Sequence, residues 1–248
     1  MSNSATFSVF GKRYYFTPKF TLVTILLIAV LIGLGIWQLN QAKHVAEVFE
    51  AINKRLLLDP IQVNDLQKDN DWRFYPIQMR GTFDNEHEIF LSHRSFKGEQ
   101  GYEVLTPFKP HDSDIQILVN RGWIPMESDP SKLPDIKPVK ESVSLFGVLV
   151  KTAVYFSLGS DFDENNIHWP LLTKRINTAK LSALLSAPLF DYVVLLSPSS
   201  PYGYEREWIE LTTTLNADNN KNYAMEWFAL AIAVFLIFIF SNIERDRS

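Results

Sequence analysis

Histidine and arginine are the residue types in this chain whose placement could support chemistry. The five histidines fall at 44, 87, 93, 111 and 168. None forms an i,i+4 pair and HExxH is absent, so no helix-borne zinc site is encoded. His87 and His93 are an even number of residues apart in a segment that reads as a strand. That spacing puts both imidazoles on one face, where they would either share a metal or stand solvated. Walker A, GxGxxG and GxSxG sequences are also missing. The carboxylates are scattered. There is no cysteine, which removes disulfides, thiolate metal sites, iron–sulfur clusters and thiol nucleophiles together. Read from these residues, the chain is not an enzyme.

Arg121 is the sharper candidate. In VNRGWIP it follows an apolar strand and precedes Gly122 and Trp123. A guanidinium there could clasp a carboxylate bidentately or stack on an aromatic plane, or it could close an ion pair at the strand end. Arg80 and Gly81 in MRGTFD allow the same two roles. With a net charge of −4 and no basic stripe, nucleic acid is not an expected partner.

The elements that must hold these residues fall into three parts. Phe20–Leu39 is uncharged and apolar, and twenty helical residues rise about 30 Å, the thickness of a hydrocarbon core. Trp37 at its end suits the interfacial belt. The run is too long for a usual signal-peptide core and no clean cleavage site follows, so it reads as an anchor that stays. A second apolar block, 223–243, contains WFALAIAVFLIFIF, with Glu226 near its entry. Two spans place both ends on one side. Lys12, Arg13 and Lys19 precede the first span, and Arg245 and Arg247 follow the second. The positive-inside tendency therefore assigns residues 1–19 and 244–248 to the cytoplasm and residues 40–222 to the periplasm of a bacterial inner membrane. The N-terminus lacks the character of a mitochondrial transit peptide.

Directly after the first span, Val45, Val48, Phe49, Ile52 and Leu56 recur at helical spacing, which predicts that the anchor continues as an amphipathic helix to about Leu58, where Asp59-Pro60 ends it. The period then changes to two. Strands are predicted at 77–84, 87–94, 101–108, 114–123, 143–150 and 191–198. Asn177 caps a short helix with Leu181, Leu184 and Leu185 on its buried face. The fold class is α+β: two transmembrane helices flanking a mainly antiparallel β domain that carries a short helix.

Several segments, in order, resemble the Surfeit locus protein 1 family of cytochrome c oxidase assembly factors. These are GIWQL (35–39, with Gly35, Trp37 and Gln38), YPIQMRGTFD (75–84, with Arg80 and Gly81), GYEVLTPF (101–108), ILVNRGWIP (117–125, with Asn120, Arg121, Gly122 and Trp123), HWP (168–170) and YAMEWFALA (223–231, with Tyr223 and Trp227). The resemblance implies a factor that matures subunit I of a haem–copper oxidase, with subunit I, other assembly factors and the bilayer as partners. It also implies transient handling of haem a, with Arg121 and Trp123 as a collar for the propionates. The family commonly carries a histidine three residues before the Tyr-Ala of the second anchor. Here that position is Asn220, a poor iron ligand. An arginine four residues after the first anchor's tryptophan is Gln41 here. His44, just past the first span, is the conceivable substitute ligand. The alternatives are a scaffold that binds oxidase subunits without touching haem, a membrane-tethered periplasmic enzyme, and a transporter accessory subunit, which the order of the motifs disfavours.

Overall fold

The structure, a computed structural model, describes residues 5–9, 12–67, 69–129, 132–151, 167–208 and 217–242, with side chains from residue 17 onward. It divides into two units, Met1–Ala51 with Glu210–Ser248, and Ile52–Ile209.

The first unit opens with an antiparallel hairpin, β1 (Ala5–Val9) and β2 (Lys12–Phe16), which the hydropathy pattern did not predict. Helix α1 follows over Pro18–Leu56, as one rod through the first span and the amphipathic stretch beyond it. Helix α3 covers Ala217–Ser241. Their most apolar stretches have mean hydropathies of 2.6 and 2.2 and are only 17% buried. A core helix of a soluble protein would be mostly covered; here Leu22, Val23, Ile25, Ile232 and Ile237 are bare. The chain is a membrane protein. The threonines of the first span return their hydroxyls to the helix, Thr21 Oγ1 to Thr17 O at 3.1 Å and Thr24 Oγ1 to Phe20 O at 2.9 Å. No hydroxyl there depends on water.

The two helices touch where the sequence is smallest. A β-carbon on Gly35 would stand 2.5 Å from Phe228 Cε1, so the family-like GIWQL glycine is a packing residue. Toward the other end the rings of Phe20 and Phe238 lie 5.7 Å apart.

In the second unit, β3 (Ile61–Gln62), β4 (Pro76–Phe83), β5 (Ile89–Phe96), β6 (Glu99–Pro110), β7 (Gln116–Pro125), β8 (Val143–Lys151), β9 (Leu171–Thr173) and β10 (Leu189–Leu196) form one sheet in the order β3-β4-β8-β10-β7-β6-β5-β9. The long β6 also pairs its last residues with β4, Phe108 against Phe83. This closes β4, β8, β10, β7 and β6 into a ring. Closure needs a backbone-to-backbone approach at Gly81, where any β-carbon would collide with the Lys109 carbonyl. Pairing is mainly antiparallel, as expected, with β7–β10, β3–β4 and β5–β9 parallel.

Alternation along these strands sends Ile77, Met79, Phe83, Phe108, Val119, Leu145, Leu149 and Val194 into the ring's interior. Helix α2 (Thr178–Leu185) begins as predicted, with Asn177 Oδ1 accepting from Lys180 N. Its Leu181 covers the outer cluster of Ile89, Leu105 and Val193. Lys97 and Gly98, both at positive φ, make the two-residue turn between β5 and β6. The last turn of α1 belongs to this unit: Arg55 Nη1 donates to Asp71 Oδ2 at 3.1 Å and to Arg73 O at 3.0 Å.

Candidate functional site

Two β-bulges interrupt the strands that carry the candidate residues. Along β7, Asn120 pairs with Leu105 and Gly122 with Val104, so Arg121 is an extra residue facing no partner on β6. Gly122 takes φ +111°, a conformation that closes the bulge. Arg121 keeps the inward parity of Ile117 and Val119, and both faces of β7 are covered, so the whole run Ile117–Ile124 is buried.

Arg121 is 2% exposed. Its Nη1 donates to Glu88 Oε1 at 3.2 Å and to Thr106 Oγ1 at 3.4 Å, and its Nε donates to Tyr202 O at 2.9 Å. Phe83 and Tyr204 flank the guanidinium at 5.0 and 5.1 Å. Thr106 Oγ1 donates to Glu88 Oε2 at 2.5 Å. Glu88 is itself buried, and that burial pushes its carboxyl up to about 7 against the opposing pull of Thr106 and Arg121. Burial also raises the Tyr204 phenol. Arg121 thus makes an ion pair and also lies against two aromatic planes. It lies inside β7 and not at a strand end, and it clasps a carboxylate of its own chain.

The neighbouring motif residues hold this arrangement. Asn120 Nδ2 donates to Glu103 Oε2 at 2.7 Å, and Gly122 N donates to Asn120 Oδ1 at 3.0 Å. Trp123 lies over Gly101, where a β-carbon would press on the indole, and 5.4 Å from Phe96. Its backbone N–H donates to Glu205 O at 2.6 Å, stitching the loop after β10 to the bulge. Arg80, by contrast, is exposed on β4, and its neighbour Gly81 serves ring closure.

The second bulge corrects the histidine reading. β5 gains one residue between Leu91 and Arg94, where His93 takes φ +60°. His87 lies in the turn before β5, so the parity that placed His87 and His93 on one face does not apply. His87 Nδ1 meets Asp84 Oδ2 at 2.7 Å and His93 Nδ1 meets Ser92 Oγ at 3.0 Å. His111 meets Ser142 Oγ at 3.1 Å, and His168 is exposed. Among the described residues no three histidines or carboxylates converge on a point that could hold a metal.

His44 and Asn220 are in the helical unit, His44 exposed on α1 and Asn220 half-buried in the first turn of α3, with Tyr223 exposed and Trp227 half-buried one and two turns on. Arg121 and Trp123 are in the other unit. A propionate-binding collar needs a cation with free donors, and the Arg121 guanidinium is enclosed by its own partners. Asn220 supplies an amide where an axial imidazole would be needed. Arg121 and Asn220 therefore supply neither the free cation nor the imidazole that a haem site would ask of them.

Sequence reasoning missed Glu88. Its only signal was a charge directly before the apolar run Ile89–Leu91. Beside it opens a cavity of about 280 Å³ whose walls include Glu86, Glu88, Phe90, Asp135 and Trp169.

The SURF1 family model matches residues 25–232, from inside the first anchor into the second. The chain belongs to the SURF1 family. Surfeit locus protein 1 of Takifugu rubripes is 23% identical over 241 residues, covering 90% of this chain and 97% of the relative. A SURF1-like protein of Rickettsia felis is 27% identical over 232 residues, covering 89% of this chain and 96% of the relative. The cytochrome oxidase assembly protein SHY1 of Saccharomyces cerevisiae is 32% identical over 97 residues, which cover 38% of this chain and 25% of the relative. The bulged VNRGW segment and the Gly35–Phe228 contact lie within the SURF1 match.

Proposed function

We propose that this SURF1-family chain is an assembly factor for a haem–copper cytochrome c oxidase. It is anchored by α1 and α3 in a bacterial inner membrane, with both termini cytoplasmic and the β unit in the periplasm. The observation that carries the reading is that the family match runs through both apolar helices and the β unit between them. The name of the yeast relative, a cytochrome oxidase assembly protein, supports oxidase assembly. Orientation rests on Lys12, Arg13 and Lys19 before the first span and Arg245 and Arg247 after the second. No catalytic step is assigned to the chain.

Two modes of assistance remain: delivery of haem a to subunit I, or a scaffold that holds oxidase subunits without binding haem. The enclosure of Arg121 favours the scaffold, because the one buried cation among the described residues is already paired with Glu88. Deleting the gene should lower the yield of assembled oxidase while subunit transcripts stay unchanged; normal oxidase activity in the deletion strain defeats the proposal. An optical spectrum of the detergent-purified protein, co-expressed with the enzymes of haem a synthesis, separates the modes. The scaffold mode requires no haem above background. A stoichiometric haem signal lost on His44→Ala would instead establish delivery.

A further inference from the structure

The HWP motif and the turn before β5 meet at the cavity beside Glu88, and neither membrane anchoring nor the Arg121 pair uses it. Trp169 and Phe90 provide aromatic walls, Pro134 and Pro170 rigid ones, and Glu86, Glu88 and Asp135 bring carboxylates. No lysine or arginine is among the described residues that line it. Glu88 is 6% exposed, a buried acid at the wall of an open space, while Glu86 and Asp135 are exposed at its rim.

We propose that this cavity receives a single cationic side chain, arginine or lysine, presented by a partner protein. Size argues for one side chain: about 280 Å³ falls just short of the roughly 300–1,000 Å³ of pockets that enclose drug-sized ligands. Charge argues for a cation, since an anion would face the exposed rim carboxylates of Glu86 and Asp135, and an apolar group would strip water from both without replacing their hydrogen bonds. The walls fit the same guest, because a guanidinium or ammonium gains from an indole face. The domain already holds one arginine in this way: Arg121 lies between Phe83 and Tyr204 with Glu88 as its acid. The cavity would offer Glu86, Asp135 and Trp169 to a second cation from outside. The inference rests on the assembly reading only for the expectation that the partner is a protein; the binding itself is measured without oxidase.

The test uses the full chain in detergent micelles with ¹⁵N-labelled tryptophan, the Trp169 indole signal being assigned from Trp169→Phe. The probe is N-acetyl-arginine amide, with N-acetyl-norleucine amide as apolar control and putrescine as a free cation. The capped arginine should shift the Trp169 signal saturably. Glu86→Gln combined with Asp135→Asn should weaken that binding at least tenfold. Both positions are exposed, so the thermal unfolding of the double variant should match the parent and confirm a folded chain. No saturable shift, an equal response to norleucine, or undiminished binding in the double variant would overturn the proposal. Tighter binding of putrescine than of the capped arginine would overturn the assignment to a partner side chain. Because oxidase yield is not the readout, this site and the assembly role can fail separately.

Discussion

The helical unit and the β unit of this chain handle polar groups in opposite ways. Along α1 and α3 the apolar surface is bare and the contact between helices depends on a missing side chain, Gly35 under Phe228. In the β unit the apolar surface is enclosed, and an arginine–carboxyl pair, Arg121 with Glu88, is sealed inside it. The difference follows from solvent. Two helices in lipid gain little by hiding leucines from hydrocarbon, so close packing must bring them together. A ring of strands in water gains by burying every inward residue, and can then carry the cost of an internal ion pair if each charge finds its partners.

Breaking the Arg121 pair should have the largest effect. Arg121→Met leaves Glu88 buried without its cation and should cost about 3–5 kcal/mol of β-unit stability in denaturant titrations. Arg121→Met combined with Glu88→Leu should recover most of that loss. If the double variant is no better than the single one, the pair does not account for the damage.

The pH dependence comes next. Glu88 holds its proton more tightly folded than unfolded, so its contribution to stability is full below about 4.5 and is lost as pH rises through about 7. That interval corresponds to at most about 3 kcal/mol. Urea midpoints measured from pH 5 to pH 8 should fall with rising pH in the parent and be flatter in Glu88→Gln. Parallel profiles would exclude Glu88 as the titrating group.

Gly81→Ala should cost about 1–3 kcal/mol, because the obstacle is the Lys109 backbone and not a side chain that can turn away. Gly35→Ile should leave the β-unit midpoint unchanged while reducing disulfide formation between cysteines placed at Phe20 and Phe238, whose rings are in contact in the parent. The chain's lack of cysteine makes that measurement clean. The smallest effect is expected at Arg55→Ala, which removes a partly exposed pair with Asp71 and should cost about 0.2–1 kcal/mol.

The two units also differ in how far they could be read beforehand. Both anchors, the long continuation of α1 past the first span, six strands and the Asn177 cap follow from period and composition, because each is a local property of ten to twenty residues. The N-terminal hairpin and the short β3 and β9 carry too few residues to leave a period. Alternation failed at the two bulges, and both fall at functional candidates. One extra residue at Arg121 broke the β6–β7 pairing inside what reads as a regular strand, and another at His93 separated a presumed metal pair.

By itself, the sequence determined that this is a two-anchor membrane protein of the SURF1 pattern with a β domain between its helices. Only the tertiary structure decided what Arg121 does. Its partner, Glu88, is 33 positions away, on a segment that reaches it only when β5, β6 and β7 are in register. A bulge is set by which backbone groups pair across strands, and that pairing exists only after the ring has closed.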